Sequence, residues 1–415
     1  MSRGPSEAIA LSRALQRRLA LPREVAREEG VRLFLVGGAV RDLLLGRSVA
    51  DLDLAVEGDA LAFARSLAGR LRIRPRVHER FATATLESTG GKRIDVAASR
   101  RETYERPGAL PQVQAAPIEE DLSRRDFTIH AMALEIAPGR ALRLHDPYGG
   151  REDLRRRLVR MLHPVSPLDD PTRAFRAARY ANRLGFRVET TTRRWIRSAV
   201  RAGVFDAVSG DRLRRELRLL FSEGDPGGAV RVMGELGVAA VLNASLRCSR
   251  TAVTRLRRGE RLATRTRAQT TWLLYLLIWA RDLSVEDLER LSRRLHLSTA
   301  EGRILRGWRE KRKRLASELG ERARVRLTVG VTPDELLAAA ALAPERVSVQ
   351  RLSRMLLAGP LVLAIGGRDL IASGAPSGPG IGRALAQTLA ARRRGAISLE
   401  EELGYALRSL RRKPA

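Results

Sequence analysis

The sequence predicts an α+β protein, with a small mixed head of strands and helices over about residues 30–150 and an all-helical remainder. Three observations lead there. Strand-length apolar runs at 31–36, 81–87 and 92–97 are interspersed with helical stretches such as 59–70. From residue 151 onward strand signals nearly vanish, and helices broken by Gly and Pro take over. The chain has 415 residues, too many for one compact core, and 44% of them are hydrophobic, so it folds into two or more domains and is not disordered.

Charge narrows the partner class. The chain carries 77 Lys+Arg against 47 Asp+Glu, a formal charge of +30, which argues for a polyanionic partner. Lysine stands only at Lys92, Lys311, Lys313 and Lys413, so the charge is almost all arginine, a bias that a GC-rich genome also produces. The lone Cys248 excludes an internal disulfide, and no Cys/His cluster has zinc spacing. Residues 272–280 are strongly apolar but too short for a bilayer, and read as a buried helix. The N-terminus lacks a signal-type apolar core, so the expectation is a cytoplasmic protein with no membrane partner.

In chain order, residues 1–29 read as a helical extension with Ile9, Leu11, Leu15 and Leu19 on its apolar side. Residues 31–36 form a buried strand, and Gly37-Gly38 a tight turn that brings backbone N–H groups toward an anion. A helix then starts over Val40 to Leu45. Asp51 and Asp53 follow in an alternating run, so on a strand both carboxylates face the same way. Two such carboxylates beside a phosphate cradle suit a two-magnesium site for nucleotidyl transfer. Asp59 opens a helix over 59–70, strands follow at 71–78, 81–87 and 92–97, and Gly90-Gly91 reads as a hairpin turn. Asp95 then stands either as a third carboxylate of the cluster or as an ordinary strand-end aspartate.

The pairing of Gly37-Gly38-Ala39-Val40-Arg41-Asp42 with Asp51-x-Asp53 resembles the opening motif of the nucleotidyltransferase family that holds the bacterial tRNA CCA-adding enzymes and the poly(A) polymerases. Residues 124–128, Arg-Arg-Asp-Phe-Thr, resemble its second motif, with His130 where the family has asparagine. A neutral imidazole can replace either hydrogen-bonding role of that amide. Residues 144–150, with Asp146-Pro147-Tyr148-Gly149-Gly150, resemble the turn that ends the head, so His145 and Asp146 are not read as a metal pair. In residues 168–184, Asp169 or Asp170 caps a helix and Pro171 suits its first turn. Asp170, Arg173, Arg176 and Arg179 form a slowly drifting polar stripe. The stripe is similar to the family's Glu-Asp-x-x-Arg motif, with Asp169 for glutamate. Arg212 and Glu216 read as partners four apart on a supporting helix. The basic run Arg303 to Arg314 and the Gly/Pro-rich loop within 366–386 each offer a phosphate contact or a plain solvated surface.

The resemblance implies a polymerase-β-like head over 30–150, a nucleotide-selecting neck over 151–235, and an elongated, RNA-binding helical body and tail over 236–415. It implies attack of a tRNA 3′-hydroxyl on the α-phosphate of CTP or ATP with release of pyrophosphate. Asp51 and Asp53 would hold two Mg2+ ions, Asp95 would help draw the proton, and Gly37, Gly38 and Arg41 would hold the triphosphate, with Arg125 touching the nucleotide. Asp170 accepts from the exocyclic amine of C or A while Arg173 donates to its neighbour, and Arg176 and Arg179 extend the stripe. Uracil and guanine present a carbonyl there and are repelled. Addition of CC alone or A alone is the nearest alternative. A poly(A) polymerase lacks support at Glu79-Arg80-Phe81-Ala82-Thr83, where an arginine-rich signature is expected, and a silent RNA-binding protein is disfavoured by intact Asp51 and Asp53. The oligomeric state is left open.

Overall fold

The structure is a computed structural model that describes residues 9–87, 93–103, 112–136, 142–319, 331–343, 347–358, 363–394 and 396–411. The chain divides into two compact units, Met1–Gly224 with Gly228–Ala244, and Asp225–Gly227 with Ser245–Ala415. The regions expected as head and neck thus fall largely within one unit.

In the first unit, α1 (Arg13–Glu28) starts where Ser12 Oγ accepts from the Leu15 N–H at 3.2 Å, and it buries Leu15, Leu19 and Val25. β1 (Arg32–Val36) is almost wholly buried and runs through Gly37 into α2 (Gly38–Leu44). β2 (Leu52–Glu57) returns antiparallel to β1, pairing Leu35 with Leu54. Asp59 caps α3 (Ala60–Leu71), its Oδ1 accepting from Leu61 and Ala62 N–H at 3.0 and 2.9 Å. The expected strand 71–78 shortens to β3 (Arg76–His78), because α3 runs on to Leu71 and ends at Arg72 in the left-handed region. β4 (Thr83–Glu87) and β5 (Arg93–Ala98) pair antiparallel, while the Gly90-Gly91 turn between them lies outside the described residues.

Next come a short hairpin absent from the sequence reading, β6 (Arg100–Thr103) with β7 (Gln112–Ala115), then α4 (Ile118–Ser123), β8 (Ala133–Glu135) and β9 (Arg143–His145). Seven strands form one mixed sheet in the order β3-β4-β5-β2-β1-β8-β9. β2 and β5 are its parallel pair, and their register sets Asp53 opposite Asp95. Phe34, Val36, Ala55, Ile118, Leu122 and Ala133 make a core cluster, and Phe63 and Leu67 of α3 are fully buried.

Helices dominate after α5 (Gly150–Arg155), with only the two-residue parallel pair β10 (Leu158–Val159) and β11 (Arg187–Val188) as strands among the described residues. They are α6 (Ser166–Asp169), α7 (Arg173–Leu184), α8 (Thr190–Arg201), α9 (Gly210–Ser222), α10 (Pro226–Leu236) and α11 (Ala239–Leu242). α7 begins at Arg173, later than the cap at Asp169 or Asp170 places it, and Pro171 lies in the turn before it. Asp170 Oδ1 accepts from the Thr172 N–H at 3.0 Å, holding that turn instead of the helix's first residues.

The second unit is helical among its described residues, from α12 (Arg250–Thr266) and α13 (Leu273–Trp279) through α14 (Val285–Arg294), α15 (Thr299–Glu318), α16 (Pro333–Leu342), α17 (Val349–Ala358), α18 (Gly367–Ala372) and α19 (Pro379–Arg394) to α20 (Glu402–Arg411). The apolar run 272–280 supplies α13, buried against α12 and α16. Trp308 Nε1 donates to the Leu277 carbonyl at 2.8 Å. Part of the basic run is neutralised internally: Lys311 Nζ lies 2.7 Å from the fully buried Glu335. No helix among the described residues is long and apolar enough to cross a membrane.

Candidate active site

The C-terminal end of β1, the start of α2, the facing strands β2 and β5, the segment after α4 and the first turns of α7 surround a cavity of about 630 Å3. It is lined by Gly37, Gly38, Arg41, Asp51, Asp53, Asp95, Arg125, Asp170, Arg173 and Arg176. Arg179 does not line it. The stripe drifts round α7, and Arg179 lines a second cavity of about 450 Å3 with Asp170, Arg212, Glu216 and Glu223.

Gly37 has φ +63, a conformation that favours glycine, and a Cβ there would sit 2.9 Å from Arg125 Nη1 and push that guanidinium aside. A Cβ on Gly38 would meet Arg41 Nη2 at 3.6 Å and Asp53 Oδ2 at 3.7 Å, which marks where cradle, cation and carboxylate converge. Asp51 sits at the bend just before β2 instead of on the strand, yet lines the same cavity as Asp53. Burial, with the neighbouring carboxylates of Asp95 and Asp51, outweighs Arg125 and Arg93 and pushes the Asp53 carboxyl up to about 6. Asp95 accepts from Thr85 Oγ1 at 2.7 Å and from Arg93 Nε at 3.0 Å.

The opposite wall is a network of paired arginines. Asp121, almost fully buried, takes Arg124 Nη2 at 2.6 Å on Oδ1 and Arg125 Nη2 at 2.7 Å on Oδ2. Burial raises its proton affinity, but the two guanidiniums prevail and hold it below the usual carboxylate range. Arg41 is gripped by Asp42, Nε to Oδ1 at 2.9 Å and Nη2 to Oδ2 at 2.8 Å. Its Nη1 lies 2.8 Å from His130 Nε2, and His130 Nδ1 lies 2.9 Å from Asp126 Oδ1. Arg176 Nε donates to Asp126 Oδ2 at 2.7 Å. Burial of Asp126 is overcome by Arg176 and His130, which hold its carboxyl well below the usual range; Asp126 in turn raises the proton affinity of Arg176. Tyr180 carries the guanidiniums of Arg41, Arg176 and Arg179 over its ring at 5.8, 5.6 and 4.9 Å.

Arg173 is buried, with Nη1 donating to Ser166 Oγ and Nη2 to the Arg124 carbonyl, each at 2.7 Å. Asp170 receives Thr172 Oγ1 and Arg212 Nη2, both at 2.7 Å, on Oδ1. The expected Arg212–Glu216 pair is therefore replaced. Arg212 reaches Asp170, and Glu216 Oε2 lies 3.4 Å from Arg179 Nη1, so both bind α9 to residues of the preceding segment. Burial outweighs Arg179 there and holds the Glu216 carboxyl above its usual range. His145 lies between Glu119 and Glu135, 3.2 and 3.1 Å away, a structural setting. Sequence reasoning missed Asp42, Asp121, Asp126 and Tyr180. Asp42 and Asp126 stand inside the quoted motifs, and Tyr180 sits one turn after Arg176, the single aromatic on that stripe.

Asp51 and Asp53 are hard oxygen donors suited to a divalent cation, whose charge would offset the burial and the carboxylate repulsion that raise the Asp53 carboxyl to about 6. Among the described residues no three or more His, Cys, Asp or Glu side chains form a closed metal site. A magnesium ion held by one or two carboxylates, with water and phosphate completing its shell, fits this donor set.

A poly(A) polymerase head-domain family model matches residues 33–160. The A-adding tRNA nucleotidyltransferase of Geobacter sulfurreducens is 41% identical over 214 residues, 52% of this chain but 24% of that one, so the chain spans about a quarter of that relative's length. The CC-adding tRNA nucleotidyltransferase of Deinococcus radiodurans is 33% identical over 395 residues, 91% of this chain and 89% of that protein. A solved CCA-adding enzyme, in an apo form, superposes with a TM-score of 0.77 at 31% identity over 96% of both chains. Other structural matches are CCA-adding enzymes in complex with ATP, with CTP and, from Thermotoga maritima, with tRNA. By near-full-length sequence identity and by fold, the chain belongs to the tRNA nucleotidyltransferase family.

Proposed function

We propose that this chain adds C and A residues to the 3′ end of tRNA from CTP and ATP, without a nucleic-acid template and with release of pyrophosphate. The observation that carries the reading is the one cavity lined by Asp51, Asp53 and Asp95, by the Gly37-Gly38 cradle, and by Asp170 and Arg173 of the α7 entry. The cradle and Arg41 receive the triphosphate, Arg125 touches the nucleotide, and Asp51 and Asp53 hold two magnesium ions. Bound there, the metal supplies Lewis acidity that acidifies the attacking hydroxyl and neutralises the leaving pyrophosphate. Asp95, oriented by Thr85 and Arg93, accepts the proton from the RNA 3′-hydroxyl.

Base choice rests on Asp170 and Arg173. Among the described residues the hydrogen bonds to Asp170 all fall on Oδ1, which leaves Oδ2 to accept from an exocyclic amine. Arg173 is locked by Ser166 and the Arg124 carbonyl, so the pair is rigid without RNA. The arginine-rich chain, at +30, supplies the backbone-binding charge.

A second reading, addition of the two C residues alone, is favoured by the near-full-length match to a CC-adding relative. Incorporation of each labelled nucleotide into tRNA transcripts ending at the discriminator base, in C, and in CC separates them. CTP use on the first two and ATP use on the third supports CCA addition. Failure of the ATP step supports CC addition, and failure of every step overturns both.

A further inference from the structure

A line of four side chains, the first three buried and the last partly exposed, runs from the glycine cradle to α7: Arg41, His130, Asp126 and Arg176. Their chemistry assigns the protons. Arginine only donates and an ionised carboxylate only accepts. His130 Nε2, 2.8 Å from Arg41 Nη1, must therefore offer its lone pair, while Nδ1–H donates to Asp126 Oδ1 at 2.9 Å. The imidazole is the one link that can face a donor on one side and an acceptor on the other.

We propose that His130 is a positioning residue for nucleotide binding, which as a neutral imidazole fixes the Arg41 guanidinium beside Gly38 and Asp53. The inference rests on the reading of this cavity as a triphosphate site. Asp42 holds the Nε–Nη2 edge of the Arg41 guanidinium, and His130 holds the remaining nitrogen, Nη1. Without that contact Arg41 follows Asp42, whose side chain is partly exposed. A proton on Nε2 would set donor against donor and put two cations in contact.

The charged and titratable groups facing the ring are Arg41 from α2, Asp126 from its own segment, and Arg176 and Tyr180 from α7, the Tyr180 ring edge-on with centroids 4.3 Å apart. Asp126 alone favours the imidazolium. Burial first, then Arg41 and Arg176, outweigh it and hold the ring below the usual histidine range, so the neutral form prevails at pH 7.

Binding of ATP and of CTP to the full chain in EDTA, measured by calorimetry between pH 5.5 and 8, tests this without metal or turnover. As acidification toward pH 5.5 begins to load a proton onto the imidazole and breaks its hydrogen bond to Arg41, wild type should weaken by more than the titration of free nucleotide accounts for. His130→Ala should weaken binding about tenfold at pH 8, with its loss of incorporation appearing in KM rather than kcat. His130→Asn accepts from Arg41 and donates to Asp126 but carries no titrating proton. It should restore most of the affinity lost in His130→Ala and abolish the excess acid weakening. Identical acid weakening in wild type and His130→Asn overturns the proposal, as does wild-type affinity in a folded His130→Ala. If wild type binds neither nucleotide at pH 8, the triphosphate reading falls and takes this inference with it.

Discussion

Asp53 and Asp95 stand directly opposite one another on the parallel strands β2 and β5, both facing the cavity that Gly38 and Arg41 border. Two carboxylates so placed, with Asp51 close by, repel, and the fold keeps them together at a cost in stability.

That cost has a sign. The Asp53 carboxyl sits at about 6 in the fold against 3.8 for the free side chain, so its contribution to stability is full below pH 4 and is lost as pH rises through 6. Asp53→Asn should therefore raise Tm by a few degrees at pH 7.5 and by little at pH 4. Magnesium should raise the wild-type Tm at pH 7.5 more than that of the variant. Calorimetric melts at the two pH values check this, and a variant that melts lower at pH 7.5 would refute it.

Gly37→Ala forces a side chain into a positive-φ position and against Arg125 Nη1. A loss of about 1–2 kcal/mol in stability is expected. Displacement of Arg125 should also raise the nucleotide KM, measured by steady-state incorporation beside a urea melt.

Asp126→Ala strips the partner from Arg176 and His130 in a buried setting. A loss of about 1–3 kcal/mol is expected, because the buried His130 Nδ1–H is left without its acceptor while Arg176, a third exposed, is partly rescued by solvent. Urea denaturation of the variant reads this directly, and a change within 1 kcal/mol would show the network to be dispensable.

Asp170→Ala should admit UTP and GTP, since the carboxylate no longer repels a carbonyl. A loss of about 1–3 kcal/mol of discrimination, roughly 10–100-fold, is expected from the ratio of UTP to CTP incorporation. Unchanged discrimination would remove Asp170 from base choice. Arg212→Ala, which frees the same carboxylate, should loosen selection less.

The cradle was legible because a continuous apolar run, a glycine pair and an acid–apolar alternation are local signals, and β1, α2 and β2 follow them closely. Membership of the cavity by Asp51 and Asp53 could be read the same way. The Asp53–Asp95 register could not, since α3, β3 and β4 intervene and only sheet order decides it. Long-range pairs escaped for a like reason: spacing along α9 offered Arg212 and Glu216 to each other, and packing gave them to Asp170 and Arg179. The polar β6–β7 hairpin has no apolar alternation to announce it. Asp121 and Asp126 were invisible as anchors because burial, which turns a surface acid into a structural counter-ion, is a property of the fold.

The most direct test is labelled ATP incorporation into a CC-ended tRNA transcript by wild type and Asp51→Ala, beside tRNA affinity by filter binding. Asp51 is the most exposed of the carboxylates, so its removal spares the fold. Incorporation should fall on the order of 10^3-fold or more, the several kcal/mol that bound metal supplies, with tRNA affinity nearly unchanged. Substantial residual transfer by the folded variant would contradict the assignment of this cavity as the site of nucleotidyl transfer.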